Sequence, residues 1–227
     1  FILRRRVAVP LTRMTGIVSR LASRDYTVEV PVDRRDDEIG EMNEAIGVFR
    51  ANLIEREKLD AERRADQRTK DMILQMMHRV QACQNQEELA EVVVRFAPQI
   101  FPDLAGSLYS LNDGKTALTR VGAWLEPQHS QAAFPASACW GLRRGRSHES
   151  GTSGSDVPCQ HLDMSGAATL CVPLTAQGDT IGLLCMEARN EENFGPGGLR
   201  LYLELIAENL GLAIANLQLR EKLIALA

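Results

Sequence analysis

DEIGEMNEAIGVFRANLIEREKLDAERRADQRTKDMILQMMHRV, residues 37–80, decides how the rest of the chain is read. An acidic cluster, Asp36-Asp37-Glu38, opens it and suits the positive end of a helix; no proline follows until Pro98. Met42, Ile46, Phe49 and Leu53 recur at alternating steps of four and three, a heptad seam. The same register then meets Arg56, Asp60, Arg63, Gln67 and Lys70 and turns apolar again at Leu74 and Met77. The pattern predicts one helix of roughly 40 residues, apolar at both ends and charged in the middle. Alone, such a helix buries almost nothing, so it reads as a rod in a parallel dimer joining one folded module to another.

In the charged middle, Arg56–Asp60, Lys58–Glu62, Asp60–Arg64 and Asp66–Lys70 stand four residues apart. Each such pair adds only about 0.2–0.5 kcal/mol. Two readings stand: a solvated spacer, or a marginal coiled coil that changes register between two states of similar energy.

The bulk composition is that of an ordinary globular protein, with 44% hydrophobic and 25% charged residues. A net charge of −4 gives no argument for nucleic-acid binding. Five cysteines, irregularly spaced, do not form a secreted disulfide framework and point to a reducing cytosolic setting. No window reaches the ~20 apolar residues of a membrane span. The chain nevertheless starts Phe1-Ile2-Leu3-Arg4-Arg5-Arg6, an apolar tag followed by three arginines. Residues 1–10 therefore read as the cytoplasmic end of a preceding transmembrane helix, or else as a plain basic helix start.

Pro10 suits the first turn of a helix striped by Leu11, Met14, Ile17 or Val18, and Leu21. Ser23-Arg24-Asp25 ends it, and Val28, Val30 and Val32 alternate in an extended connector. A connector of about a dozen residues is long enough to run back along the first helix, so that the second lies parallel to it. Pro10, the Asp25-Tyr26 and valine connector, and Asp37-Glu38-Ile39-Gly40 resemble the HAMP linker family. The resemblance implies an all-α parallel four-helix bundle built by two subunits over residues 11–56, followed by a coiled-coil linker at 57–80. It implies packing roles for Pro10, Glu38, Ile39, Met42, Ile46 and Phe49, with Glu38 orienting the second helix.

From residue 81 the pattern changes. A helix opens at Asn85-Gln86-Glu87-Glu88 and runs to Ala97, where Pro98 and Pro102 end it. Strands are expected at Ala105–Leu111 and Thr116–Ala123 around an Asn112-Asp113-Gly114 turn, and at Ala168–Leu174 and Ile181–Ala188 around Ala176–Asp179. Residues 125–165 read as loop-rich. A last helix follows Pro196-Gly197-Gly198 with a seam of Leu203, Ile206, Leu210, Ala213 and Leu217, continuing through Leu219, Leu223 and Leu226. This order is an α+β layout.

Gly106-Ser107-Leu108-Tyr109, Leu170-Cys171-Val172-Pro173-Leu174 and Gly178-Asp179-Thr180-Ile181-Gly182-Leu183-Leu184 resemble a GAF domain, here 81–216, with a central antiparallel sheet. Cys139-Trp140-Gly141-Leu142-Arg143-Arg144 through His148, with Cys159-Gln160-His161, is similar to GAF domains that precede GGDEF diguanylate cyclases. Residues 217–227 resemble the linker into that output domain. The resemblance implies a homodimeric relay to a cyclase that makes cyclic di-GMP from GTP, the cyclase itself lying outside this chain. Two alternatives are the sensor of a histidine kinase and a GAF-type methionine sulfoxide reductase using Cys139, Cys159 or Cys171.

The chain's own chemistry concentrates in the insert. Cys139, His148, Cys159 and His161 have the donor types of a zinc site, without a recurring finger spacing. The other readings are buried cysteines with hydrogen-bonded histidines, and a small-molecule pocket lined by Trp124, Phe134, Trp140, Arg143 and His148. Arg143 and Arg144 serve either an anionic ligand or a helix C-terminus. Cys171 and Cys185, inside apolar strands, read as core; Cys83 reads as packed or free. Asn190-Glu191-Glu192-Asn193-Phe194 is a faint echo of the cyclic-nucleotide GAF motif.

Overall fold

The computed structural model describes residues 4–31, 35–151, 157–163, 168–189, 194 and 198–225. Phe1-Ile2-Leu3, Val32, Asn190–Asn193, Pro196-Gly197 and Leu226 lie outside the described residues. The chain divides into two compact units, Phe1–Arg68 and Thr69–Ala227.

In the first unit a π-helical turn, Arg4–Ala8, leads into α1, Val9–Ala22, with Pro10 in its first turn. Met14, Ile17 and Leu21 are buried, while Leu11 and Val18 face outward. Helix α2 spans Glu38–Ala82, 45 residues without a break. Asp37 caps it, its Oδ1 accepting the Gly40 N–H at 3.1 Å. Arg35 grips the same carboxylate at 2.6 Å and holds it below the usual carboxylate range. Gly40 is required there, because a β-carbon would run into the Arg35 carbonyl. Glu38 is exposed in the first turn, whereas Ile39 is buried.

Ile17, Leu21 and Val28 form a small core, with Tyr26, Val30, Ile46 and Leu53 packed against it. Arg35 donates to the Arg6 carbonyl at 3.1 Å, and Arg50 donates to the Tyr26 carbonyl at 3.0 Å. The start of α2 thus lies by the start of α1, and its later turns lie by the end of α1, so the two helices run in the same direction. Met42 and Phe49 remain 46% and 52% exposed, which leaves half of the seam unpartnered in one chain. In the charged stretch Arg64 reaches back two turns to Glu57 at 3.2 Å and also donates to the Asp60 carbonyl at 3.0 Å.

In the second unit the last turns of α2 bury Ile73, Met76, Met77 and Val80. Leu74, expected in the seam, is 60% exposed, because the buried stripe moves to the face covered by the domain. Helix α3, Gln86–Ile100, starts under Asn85, whose side chain accepts the Glu88 N–H at 2.8 Å. Glu88 in turn accepts the Gln84 N–H at 2.8 Å, a reciprocal cap. The helix runs through Pro98 and ends at Ile100, one turn beyond the expected stop. A proline so close to a C-terminus removes one backbone bond, and the Phe101 N–H still reaches the Ala97 carbonyl at 2.8 Å.

The strands are β1 Leu104–Leu111, β2 Ala117–Trp124, β3 Ala133–Pro135, β4 His148–Ser150, β5 Thr169–Ala176 and β6 Asp179–Ala188. They form one antiparallel sheet in the order β3-β2-β1-β6-β5-β4. Between β5 and β6 the chain reverses at Gln177 and Gly178, both with positive φ, the twist that suits a two-residue hairpin loop. Two of these strands and a short helix, α4 (Trp140–Arg144), lie in the stretch expected to be loop. Strands of three residues carry too short a pattern to be read locally.

The sheet is covered on both faces. Leu104, Leu108, Leu170, Val172, Leu174, Leu184 and Met186 face α2, α3 and the closing helix α5, Gly198–Ala225. Tyr109, Leu111, Leu118, Cys171, Leu183 and Cys185 face the insert with Phe134, Cys139, Cys159 and Leu162. In α5 the seam residues Leu203, Ile206, Leu210 and Leu217 are buried.

Candidate functional site

The insert is held to the sheet by polar contacts. Glu187, only 3% exposed on β6, accepts three consecutive backbone N–H groups, from Gln128 at 2.8 Å, His129 at 3.0 Å and Ser130 at 2.9 Å. Such a nest of donors suits a buried carboxylate. The Tyr109 hydroxyl donates to the Gln131 carbonyl at 2.7 Å, and burial pushes its pKa up to about 12, so it stays a neutral donor. The Glu187 nest joins residues distant in sequence, and no local pattern announces it.

Strand alternation then sets the chemistry. On β5, Leu170, Val172 and Leu174 enter the helix-side core, so Cys171 between them turns to the insert. Cys139 immediately precedes the first turn of α4, and Cys159 and His161 lie on the loop at 157–163. The four donor atoms of Cys139, Cys159, His161 and Cys171 lie within 4.8 Å of one another, and all four residues are buried. Cys159 Sγ is 3.9 Å from Cys139 Sγ, and Cys171 Sγ is 3.6 Å from His161 Nε2. The Trp140 N–H donates to Cys159 Sγ at 3.2 Å. Cys185 Sγ stands behind, 3.9 Å from Cys171 Sγ. Contact with the Cys139 and Cys171 sulfurs holds Cys159 well below the ordinary thiol range, and contact with the Cys159 sulfur pushes Cys139 up to about 12.

His161 is stacked on Phe134, rings 4.0 Å apart and 7° from parallel, and its Nδ1 has no hydrogen-bond partner. Cys139, Cys159 and His161, grouped in the sequence reading, thus come together. His148 does not join them: its Nε2 donates to the Val157 carbonyl at 2.8 Å. Cys171, read from sequence as core, stands in the fourth place. The alternation of Leu170, Val172 and Leu174 around it was the available signal.

The five residues read as a small-molecule pocket do not share one face. Trp124 belongs to the helix-side core, its indole N–H donating to the Leu104 carbonyl at 3.1 Å. Phe134 and Trp140 lie on the insert side. His148 sits near Trp140, ring centres 6.5 Å apart, and the Arg143 guanidinium lies 4.2 Å over the Trp140 ring. Arg143 and Arg144 occupy the last turn of α4 before the left-handed Gly145. Cys83, at the α2–α3 junction, is buried and donates to the Arg79 carbonyl at 3.3 Å.

A GAF-domain family model matches residues 83–215. The chain belongs to the GAF family. A HAMP-domain model matches residues 2–55, so in this chain a HAMP domain precedes the GAF domain. Over 111 residues the chain is 33% identical to a probable chemoreceptor, y4sI, of Sinorhizobium fredii, covering 48% of this chain and 13% of that protein. The chain thus spans a small part of the curated relative it matches. Among solved structures, the GAF domain of a phosphoenolpyruvate-protein phosphotransferase from Coxiella burnetii matches with a TM-score of 0.55 and 17% identity, over 68% of this chain and 96% of that one. The free methionine-R-sulfoxide reductase of Neisseria meningitidis matches with a TM-score of 0.54 and 14% identity, over 67% of this chain and 91% of that one. At these identities the likeness is one of fold. HAMP and GAF are regulatory domains, and this chain is a HAMP–GAF signalling module. None of its described helices is long and apolar enough to cross a membrane.

Proposed function

We propose that the module works as a parallel homodimer in a receptor of the bacterial cell membrane, its HAMP and GAF domains on the cytoplasmic side. In this reading a transmembrane helix precedes residue 10, and the dimer passes movement of the HAMP helices along α2 and α5 to an output domain beyond Ala227. The observation that carries the reading is the pattern of exposed apolar residues. Met42 and Phe49 are half exposed on the HAMP seam, and Leu205, Leu212 and Leu219 are exposed at seven-residue spacing on α5. A helix surface of that period is satisfied by a second copy in register.

The output we favour is a diguanylate cyclase, whose two GTP-loaded subunits must meet, supported by the likeness of the segment from Cys139 to His161 to GAF domains that precede such cyclases. A second reading, a chemoreceptor signalling domain, draws support from the chemoreceptor relative. Sedimentation of the chain tests the dimer: Phe49→Asp is expected to weaken association at least tenfold, about 1.4 kcal/mol. A monomeric parent, or an unaffected variant, removes the reading. Incubation of the full-length receptor with GTP tests the output: formation of cyclic di-GMP supports the cyclase. Its absence, with control of a partner kinase's autophosphorylation, supports the chemoreceptor.

A further inference from the structure

Three sulfurs and an imidazole nitrogen packed together in a closed interior need a physical account. Thiols hydrogen-bond weakly, and His161, fully buried, faces sulfurs on one side and stacks on Phe134 through its ring face. The group is not one local turn. It draws on the start of α4, the loop at 157–163 and the middle of β5. Packing alone calls for no such convergence of metal-ligating side chains.

The distances fit one small metal ion. With metal–sulfur bonds of about 2.3 Å and a metal–nitrogen bond of about 2.0 Å, tetrahedral angles place two sulfurs about 3.8 Å apart, and a sulfur and nitrogen about 3.5 Å apart. Here the Cys139–Cys159 sulfurs are 3.9 Å apart, and Cys171 Sγ is 3.6 Å from His161 Nε2. An iron–sulfur cluster spreads its four protein ligands over two or more irons. A group within 4.8 Å is too tight for that. We infer that Cys139, Cys159, His161 and Cys171 form a closed, four-coordinate zinc site that fastens the insert to the sheet of the GAF domain.

The surroundings suit a metal thiolate. Three thiolates, a neutral imidazole and a divalent ion leave one net negative charge in the interior. The Trp140 N–H already points at Cys159 Sγ, and Cys185 Sγ stands 3.9 Å from Cys171 Sγ, where its thiol would donate to Cys171 once that sulfur is bound as a thiolate. Such donors offset the charge and orient the ligands. All four positions are filled by protein, so the site has no open place for substrate, and its role is to hold structure. His148, grouped with these residues by donor type in the sequence, is occupied with the Val157 carbonyl and is not a ligand.

The inference does not rest on the relay reading, and its test uses the whole chain. Protein purified under reducing conditions without chelator is expected to carry one zinc per chain by elemental analysis. Stripped protein is expected to take up one cobalt per chain, with the intense visible bands of tetrahedral cobalt and a sulfur-to-cobalt charge-transfer band. Cys171→Ser is expected to lower zinc affinity at least a hundredfold, Cys185→Ala about tenfold, while His148→Ala keeps one zinc. Limited proteolysis of stripped protein is expected to cut first within residues 125–165. Should Cys171→Ser fail to fold, the cobalt spectrum of the unaltered chain decides. Failure of stripped, reduced protein to bind zinc or cobalt overturns the site. Iron in place of zinc overturns the choice of metal, and loss of zinc in His148→Ala with retention in Cys171→Ser overturns the ligand set.

Discussion

In residues 4–68 the contiguous core is Ile17, Leu21 and Val28 with four half-buried neighbours, whereas the GAF domain buries its sheet on both faces. The difference lies in what one chain supplies. Two parallel helices offer each other one stripe apiece and leave Met42 and Phe49 half exposed. A sheet with helices on one side and an insert on the other closes its core without help. The HAMP half thus leaves apolar surface that the proposed dimer would cover, and the GAF half is a self-contained body. Helix α5 holds both behaviours: Leu203 and Leu210 are fully buried, while Leu205 and Leu212, two residues on, are about half exposed.

The largest contrast is expected on α5. Leu210→Ala is expected to cost about 3–4 kcal/mol of GAF stability in denaturant unfolding. Leu212→Ala, measured at concentrations where chains are separate, is expected to stay within about 0.5 kcal/mol of the parent. Equal losses would mean that both stripes belong to one core. Next in size is Glu187→Ala, which removes the acceptor shared by three N–H groups, that of Ser130 being buried. Calorimetry is expected to show a loss of about 2–3 kcal/mol in the GAF transition, with the HAMP helices unchanged.

The smallest effect sits at the start of α2. The Asp37 carboxyl, held below its ordinary 3.8 by the Arg35 hydrogen bonds, favours the folded cap at any pH above its unfolded value. That contribution is lost as pH falls through the lowered folded value. The Gly40 amide proton signal is expected to titrate with a midpoint below 3.8 and to stop titrating in Asp37→Asn. A midpoint at or above that value would show that the cap is not formed.

Much of the fold was legible along the chain. The 45-residue helix, the four long strands and the buried face of α5 all carry a period long enough to read. What escaped was short or shared. Strands β3 and β4 exist because Ala133–Pro135 and His148–Ser150 find partners in β2 and β5. Helix α3 passes Pro98 because its last turn tolerates one missing bond. At the cluster, residue types were visible but membership was not: His148 and Cys171 exchange the places expected of them.

The amino-acid order by itself determined where this protein has a rod and where it has a sheet, since hydrophobic period and turn residues act over a few neighbours. It also determined that cysteines and histidines concentrate in one insert. Which of them meet follows from the folded sheet and not from their order along the chain. A donor's partners depend on strand register and on which face a side chain takes, and the sheet sets both by joining β5 to strands far away in sequence.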